Sequence, residues 1–157
     1  MTREQINFDY EVYESSAELS DADRQLLEEA QRATSNAYAP YSEFNVGAAA
    51  MMSNGEIVSG GNQENASFPA GLCAEGVTLA IASARFPGLP ITNMAISYRT
   101  SKLKSNHPIA PCGICRQSLQ EFKERTGSSI RLILGGESGK VFIVDDASML
   151  LPFAFKF

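Results

Sequence analysis

Basic stretches are missing from this chain of 157 residues: 13 Lys and Arg stand against 18 Asp and Glu, for a net charge of −5. Polyanion binding depends on clustered cations, so DNA, RNA and anionic membrane surfaces are poor partners, and a small neutral molecule fits better. Long apolar runs are missing too. None approaches the roughly 20 residues that span a bilayer, and the opening Met1-Thr2-Arg3-Glu4-Gln5 has no apolar signal core. A cytoplasmic protein is expected. No internal repeat or low-complexity segment occurs. Histidine is found once, at His107, and cysteine three times, at Cys73, Cys112 and Cys115. An odd number of cysteines with two in C-x-x-C does not make a disulfide framework and reads as reduced thiols. With 44% hydrophobic residues, the chain suits one compact domain with a real core.

What is present alternates between two periods. Ser20-Asp21-Ala22-Asp23 reads as a helix cap, followed by a buried stripe of Leu26, Leu27, Ala30 and Ala33 that must stop before Pro40. Residues 44–52 and 56–61 read as strands joined at Ser53-Asn54-Gly55, where Asn-Gly marks a hairpin. The spacing predicts a helix over 70–86 ended by Pro87-Gly88, a strand over 91–99, a helix from Cys112 to about Arg125 stopped by Gly127, and strands over 130–134 and 141–144. Elements in this order imply a mixed sheet with helices on its faces. At the start of the chain Ile6, Phe8, Tyr10 and Val12 alternate with polar neighbours. That pattern fits a short half-buried strand or an arm across a neighbouring subunit, and a partly disordered leader is the alternative.

The chemistry concentrates in Pro111-Cys112-Gly113-Ile114-Cys115-Arg116-Gln117 and Cys73-Ala74-Glu75. A proline before the first thiol favours the opening turn of a helix, and a step of three places Cys112 and Cys115 on one face. Helix starts also lower thiol pKa values and favour the metal-binding thiolate. Residues two apart do not share a helix face, so Cys73 and Glu75 serve one centre only from a first turn aimed at it. Three thiolates supply zinc with three protein ligands and leave a fourth position open, the arrangement of catalytic sites. The competing readings are three buried thiols, or a redox C-x-x-C pair with Cys73 incidental. His107 is a further alternative: as a fourth ligand it would close the shell and make the zinc structural.

These residues resemble the cytidine deaminase family. The match runs through Ala37-Tyr38-Ala39-Pro40-Tyr41-Ser42, Phe44-Asn45-Val46-Gly47-Ala48, Asn62-Gln63-Glu64-Asn65-Ala66, Cys73-Ala74-Glu75, the stretch from Pro111 to Gln117 and the tail Leu150-Leu151-Pro152-Phe153-Ala154-Phe155. The resemblance implies an α/β fold, a three-layer α/β/α sandwich with a mixed sheet of about five strands. It also implies an N-terminal extension over 1–19 and a single catalytic domain over 20–157. Zinc would be held by Cys73, Cys112 and Cys115, with Glu75 the acid and base beside its water. Phe44, Asn62, Glu64 and Ala74 would bind a nucleoside, Asn62 and Glu64 at the ribose and Phe44 against the pyrimidine. Phe155 would close a neighbouring subunit's site in a homotetramer. The implied reaction is hydrolytic deamination of cytidine and 2′-deoxycytidine, with another aminated base, a nucleoside analogue or a non-enzymatic zinc module as alternatives. Gly76 departs from the pattern, since many relatives with three cysteines place there an arginine that offsets excess thiolate charge. Helix N-termini or Arg116 are the remaining sources of compensation.

Overall fold

Side-chain alternation along the strands divides the interior in two. On β2 (Phe44–Met52), Ala48, Ala50 and Met52 belong to one buried cluster and Ala49 to another. The same switch recurs on β4 (Ile91–Thr100), where Met94 and Ile96 oppose Ala95, and on β5 (Arg131–Gly135), where Leu132 and Leu134 oppose Ile133. Period-two alternation of wholly apolar strands means that both faces of the sheet must be covered. In the computed structural model, which describes residues 1–156, helix α1 (Asp21–Ala33) covers one face, while α2 (Ala74–Arg85) and α3 (Gly113–Thr126) cover the other. The result is the expected three-layer α/β/α sandwich.

Six strands form the sheet, in the order β1-β6-β5-β4-β2-β3, where β1 is Glu11–Tyr13, β3 is Ile57–Gly61 and β6 is Val141–Val144. Only β4 and β5 run parallel, and α3 is the crossover that joins them. The count exceeds the expected five by one. The added strand is β1, which pairs antiparallel with β6 through Glu11↔Ile143, Val12↔Phe142 and Tyr13↔Val141. Three residue pairs are too few to be marked by alternation, which spans residues 6–12 while the paired segment begins only at Glu11. Tyr10 sets its ring edge-on to Phe142 at 5.1 Å just before the pairing starts.

Helix α1 follows its sequence closely. The Ser20 hydroxyl accepts a hydrogen bond from the Asp23 N–H at 3.2 Å, and Leu26, Leu27, Ala30 and Ala33 are all buried. The helix lies directly on β2 because Gly47 lets it: a Cβ there would stand 2.1 Å from the Ala30 carbonyl oxygen. The hairpin from β2 to β3 turns at Gly55, whose φ of 87° belongs to the left-handed region that glycine enters freely.

Two helices begin later than their composition suggests, and both delays matter. The segment before α2 is one 3-10 turn, Phe68–Ala70, followed by extended chain in which Leu72 and Gln63 exchange backbone hydrogen bonds of 2.8 Å each way. That bridge keeps Cys73 extended (ψ 152°) and makes it the N-cap of α2. Cys112 is likewise extended (ψ 169°) and caps α3 rather than opening it.

Candidate active site

The two caps bring their thiols together. Cys73 Sγ lies 3.6 Å from Cys112 Sγ, which lies 3.5 Å from Cys115 Sγ, and all three sulfurs fall within 4.8 Å of one another. Cys112 and Cys115 occupy the N-cap and third positions of α3, the pair whose side chains meet in ordinary helix capping. No second group of this kind occurs among the described residues. Three soft donors with no fourth side chain suit zinc in an open coordination shell. The partial positive charge of two helix starts converges on the same point and favours thiolates there. Thiol donation from Cys115 and then Cys112 holds the Cys73 thiol down at about 6, while that same pairing pushes Cys115 up.

Glu75 stands in the first turn of α2 and is 5% exposed. Its N-cap neighbour Cys73 is extended, so the two side chains escape the usual divergence of residues two apart and face one cleft. Burial is the largest influence on the carboxyl and raises its pKa; its own backbone N–H and the Cys115 thiol act in the opposite direction. A carboxyl raised this way is suited to taking up and giving back protons near neutrality.

The cleft has a volume of about 370 Å³. Phe44, Asn62, Glu64, Cys73, Ala74, Glu75 and Cys112 all line it, so the structure collects these candidates from four separate stretches of chain. Asn62 also has a duty within the fold. Its Oδ1 accepts from the Val46 N–H at 2.8 Å and its Nδ2 donates to the Phe44 carbonyl at 3.0 Å, which fastens the exit of β3 to the start of β2. The second Nδ2 hydrogen is left for a ligand. Glu64 Oε2 accepts from the backbone N–H groups of Tyr41 (2.8 Å) and Ser42 (3.3 Å). Hydrogen bonding, first from Ser42, keeps the Glu64 carboxyl below the usual carboxylate range.

Phe155 is not part of this cleft. Its backbone N–H and C=O pair with the Gln117 side chain at 3.2 and 2.9 Å, and the residue is 67% exposed. His107 does not join the cysteines either: its ring faces the Tyr98 hydroxyl, with Nδ1 at 3.0 Å. Arg116 turns its guanidinium to carbonyls, donating to Pro111 at 2.8 Å and Leu150 at 2.9 Å. Phe68, Leu72, Ile109 and Ala110 also line the cleft and were not singled out by the sequence. Their positions beside Cys73 and Cys112 were the available signal, since a segment that delivers a ligand also builds the wall next to it.

Gly76 follows Glu75 in α2, and a Cβ there would meet nothing within 4 Å. Space is therefore not why glycine stands at 76. Gly in a helix interior is less favourable than Ala by about 1 kcal/mol, an upper bound for Gly76 in the first turn of α2, so Gly76→Ala is expected to raise Tm by up to about 2–4 °C. Differential scanning calorimetry of the two proteins would detect the shift; a lower Tm would show that the space beside Gly76 is used.

Fold and site together define a zinc-binding deaminase of the α/β/α sandwich type. The family model described as "Cytidine and deoxycytidylate deaminase zinc-binding region" matches residues 20–128, and the chain belongs to that family. Among relatives, it is 38% identical over 136 residues to the cytidine deaminase of Halalkalibacterium halodurans, covering 85% of this chain and 94% of that one. It is 36% identical over 124 residues to the cytidine deaminase of Mycoplasma genitalium, covering 79% and 90%. The crystal structure of cytidine deaminase from Burkholderia pseudomallei superposes with a TM-score of 0.73 at 37% identity, over 87% of this chain and all of that one (100%).

Proposed function

We propose that this protein hydrolyses the exocyclic amine of cytidine and 2′-deoxycytidine, giving uridine and 2′-deoxyuridine with release of ammonia. The observation that carries the reading is the buried Glu75 carboxyl facing, with Cys73 and Cys112, a cleft walled by Phe44 and rimmed by Asn62 and Glu64. Zinc held by Cys73, Cys112 and Cys115 would lower the pKa of a water from about 15.7 towards neutrality. Glu75 takes a proton from the attacking water as the water oxygen bonds to the amine-bearing carbon, and delivers it to the adjacent ring nitrogen. The same carboxyl then carries the remaining hydroxyl proton to the departing amine, so the carbon–nitrogen bond breaks with ammonia as leaving group. Phe44 offers the pyrimidine an apolar face, and Asn62 and Glu64 offer a donor and an acceptor to the sugar hydroxyls.

The working unit is a homotetramer in this reading, with Phe155 closing a neighbour's cleft. The exposure of Phe155, on a tail clamped by Gln117, supports that role. Among the described residues no helix is long and apolar enough to cross a membrane, and together with the three unpaired cysteines this supports a cytoplasmic enzyme. Ammonia release from cytidine by the zinc-loaded protein tests the activity.

Glu64 provides a finer test. Removing a hydrogen bond from a charged acceptor is worth about 1.5–3 kcal/mol, so Glu64→Ala is expected to raise KM for cytidine by roughly 10-fold or more with zinc content unchanged. Glu64→Gln keeps an acceptor for Tyr41 and Ser42 and should lose less. Equal and unchanged KM in both variants would reduce Glu64 to a fastener of the 41–42 turn.

A further inference from the structure

Tyr98 is wholly buried (0% exposed) yet lies one layer behind the cleft wall. It sits on β4 directly opposite Val46 and two residues from the partner of Phe44. Its ring stacks on that of Phe44, with centroids 5.0 Å apart and planes at 16°. Its hydroxyl reaches the His107 ring, 3.0 Å from Nδ1. Tyr98 thus touches both sides of the cleft at second hand. Phe44 is one side. On the other, His107 belongs to the connection from β4 to α3, which goes on through Ile109 and Ala110 in the cleft wall to Cys112.

That connection needs an anchor where Tyr98 supplies one. Upstream it is fixed at Ser105, whose carbonyl accepts from Glu137 N–H at 2.7 Å and whose hydroxyl accepts from Thr100 N–H at 3.3 Å. Downstream it is fixed by α3. Between Ser105 and Cys112 the side chain of exposed His107 makes the hydrogen bond back to the sheet, ahead of Ile109, which packs on the core, and of the Pro111 carbonyl, which accepts from Arg116. A buried phenol needs a polar partner, and an imidazole on an exposed loop supplies one without burying a charge.

We infer that the Tyr98–His107 pair sets the width of the cleft for the pyrimidine ring, by holding Phe44 from behind and the 107–110 segment in front. Tyr98 and His107 are positioning residues. Their hydrogen bond and ring contacts run to each other and to Phe44 rather than to the thiols or Glu75, so they act on how the base is held and not on proton transfer. The inference rests on the proposed nucleoside reading for its kinetic test.

Tyr98→Phe removes one hydroxyl and keeps the stacked ring. Losing one net hydrogen bond in the wall is expected to raise KM for cytidine about 5-fold, with kcat within about 2-fold and zinc content unchanged. His107→Ala should move KM in the same direction by a similar factor, and the double variant should be no worse than either single one, because the two groups act as one pair. His107→Gln, which retains an acceptor and a donor, should recover most of the loss. Unchanged KM in both single variants, additive losses in the double, or an effect on kcat alone would overturn the assignment. Amide hydrogen exchange over residues 106–111 separates this inference from the functional reading: faster exchange in Tyr98→Phe supports the anchor whatever substrate is turned over, and identical exchange overturns it. If the wild type leaves cytidine untouched, the nucleoside reading fails while the exchange result still decides the anchor.

Discussion

Glu75→Gln is expected to lower kcat for cytidine deamination by roughly 10²–10⁴-fold, the span that a single well-placed acid and base supplies. The substitution preserves shape and leaves all three sulfurs, so zinc should remain at one equivalent per chain. It should also fold at least as stably. Burial works against the charged form of this carboxyl, so a neutral amide at the same place is not penalised as the carboxylate is. A variant that is zinc-replete, stable and inactive is the expected result, measured as ammonia release beside metal analysis and thermal unfolding. Near-normal turnover would remove Glu75 from the mechanism, and loss of zinc would mean that Glu75 serves the metal and not the substrate.

Cys112→Ala should abolish both zinc binding and activity. Cys112 is the middle sulfur, 3.6 Å from Cys73 and 3.5 Å from Cys115, and without it two ligands on two different helices remain. Metal binding is linked to folding, since a ligand at a hundred times its Kd adds about 2.7 kcal/mol of stability. For a chain of this size that is about 5–10 °C of Tm, which the wild type should gain on adding zinc and the variant should not. Zinc retained at full occupancy by Cys112→Ala would overturn the assignment of the three-sulfur centre.

The sequence yielded most of the layers because its signals were local and repeated. The Ser20 cap and the Leu26, Leu27, Ala30, Ala33 stripe read as α1 unaided, and Asn54-Gly55 read as the hairpin. It was less informative where a long-range contact overrides composition. Gly71 and Leu72 read with the helix, but the backbone exchange between Gln63 and Leu72 holds them extended, and that pairing lies outside any local window. At the site, residue types and spacings marked the thiols and Glu75 because metal and proton chemistry admit few alternatives. The apolar wall was less legible. Phe68, Leu72, Ile109 and Ala110 look like any other surface or loop residues until the chain is folded, and Tyr98 looks like ordinary core. The lone His107 attracted notice as a possible ligand, whereas its observed partner is a phenol.

A metal held by Cys73 and Cys112 at their capping positions would be a second joint between two helices already linked further along by Arg125 and Ser83. Helices α2 and α3 each hinge on an extended residue at their start, and a single ion gripping both hinges would fix the angle between the helices from one end. The far ends, around Arg85 and Thr126, are held without a metal, by packing, by the hydrogen bond that Arg125 donates to Ser83 at 2.9 Å and by the ion pair of Lys123 with Asp146. Stripping the ion should therefore loosen the cleft end first, which makes the empty protein most open where its substrate must enter, and loading it completes the wall at the moment the chemistry becomes available.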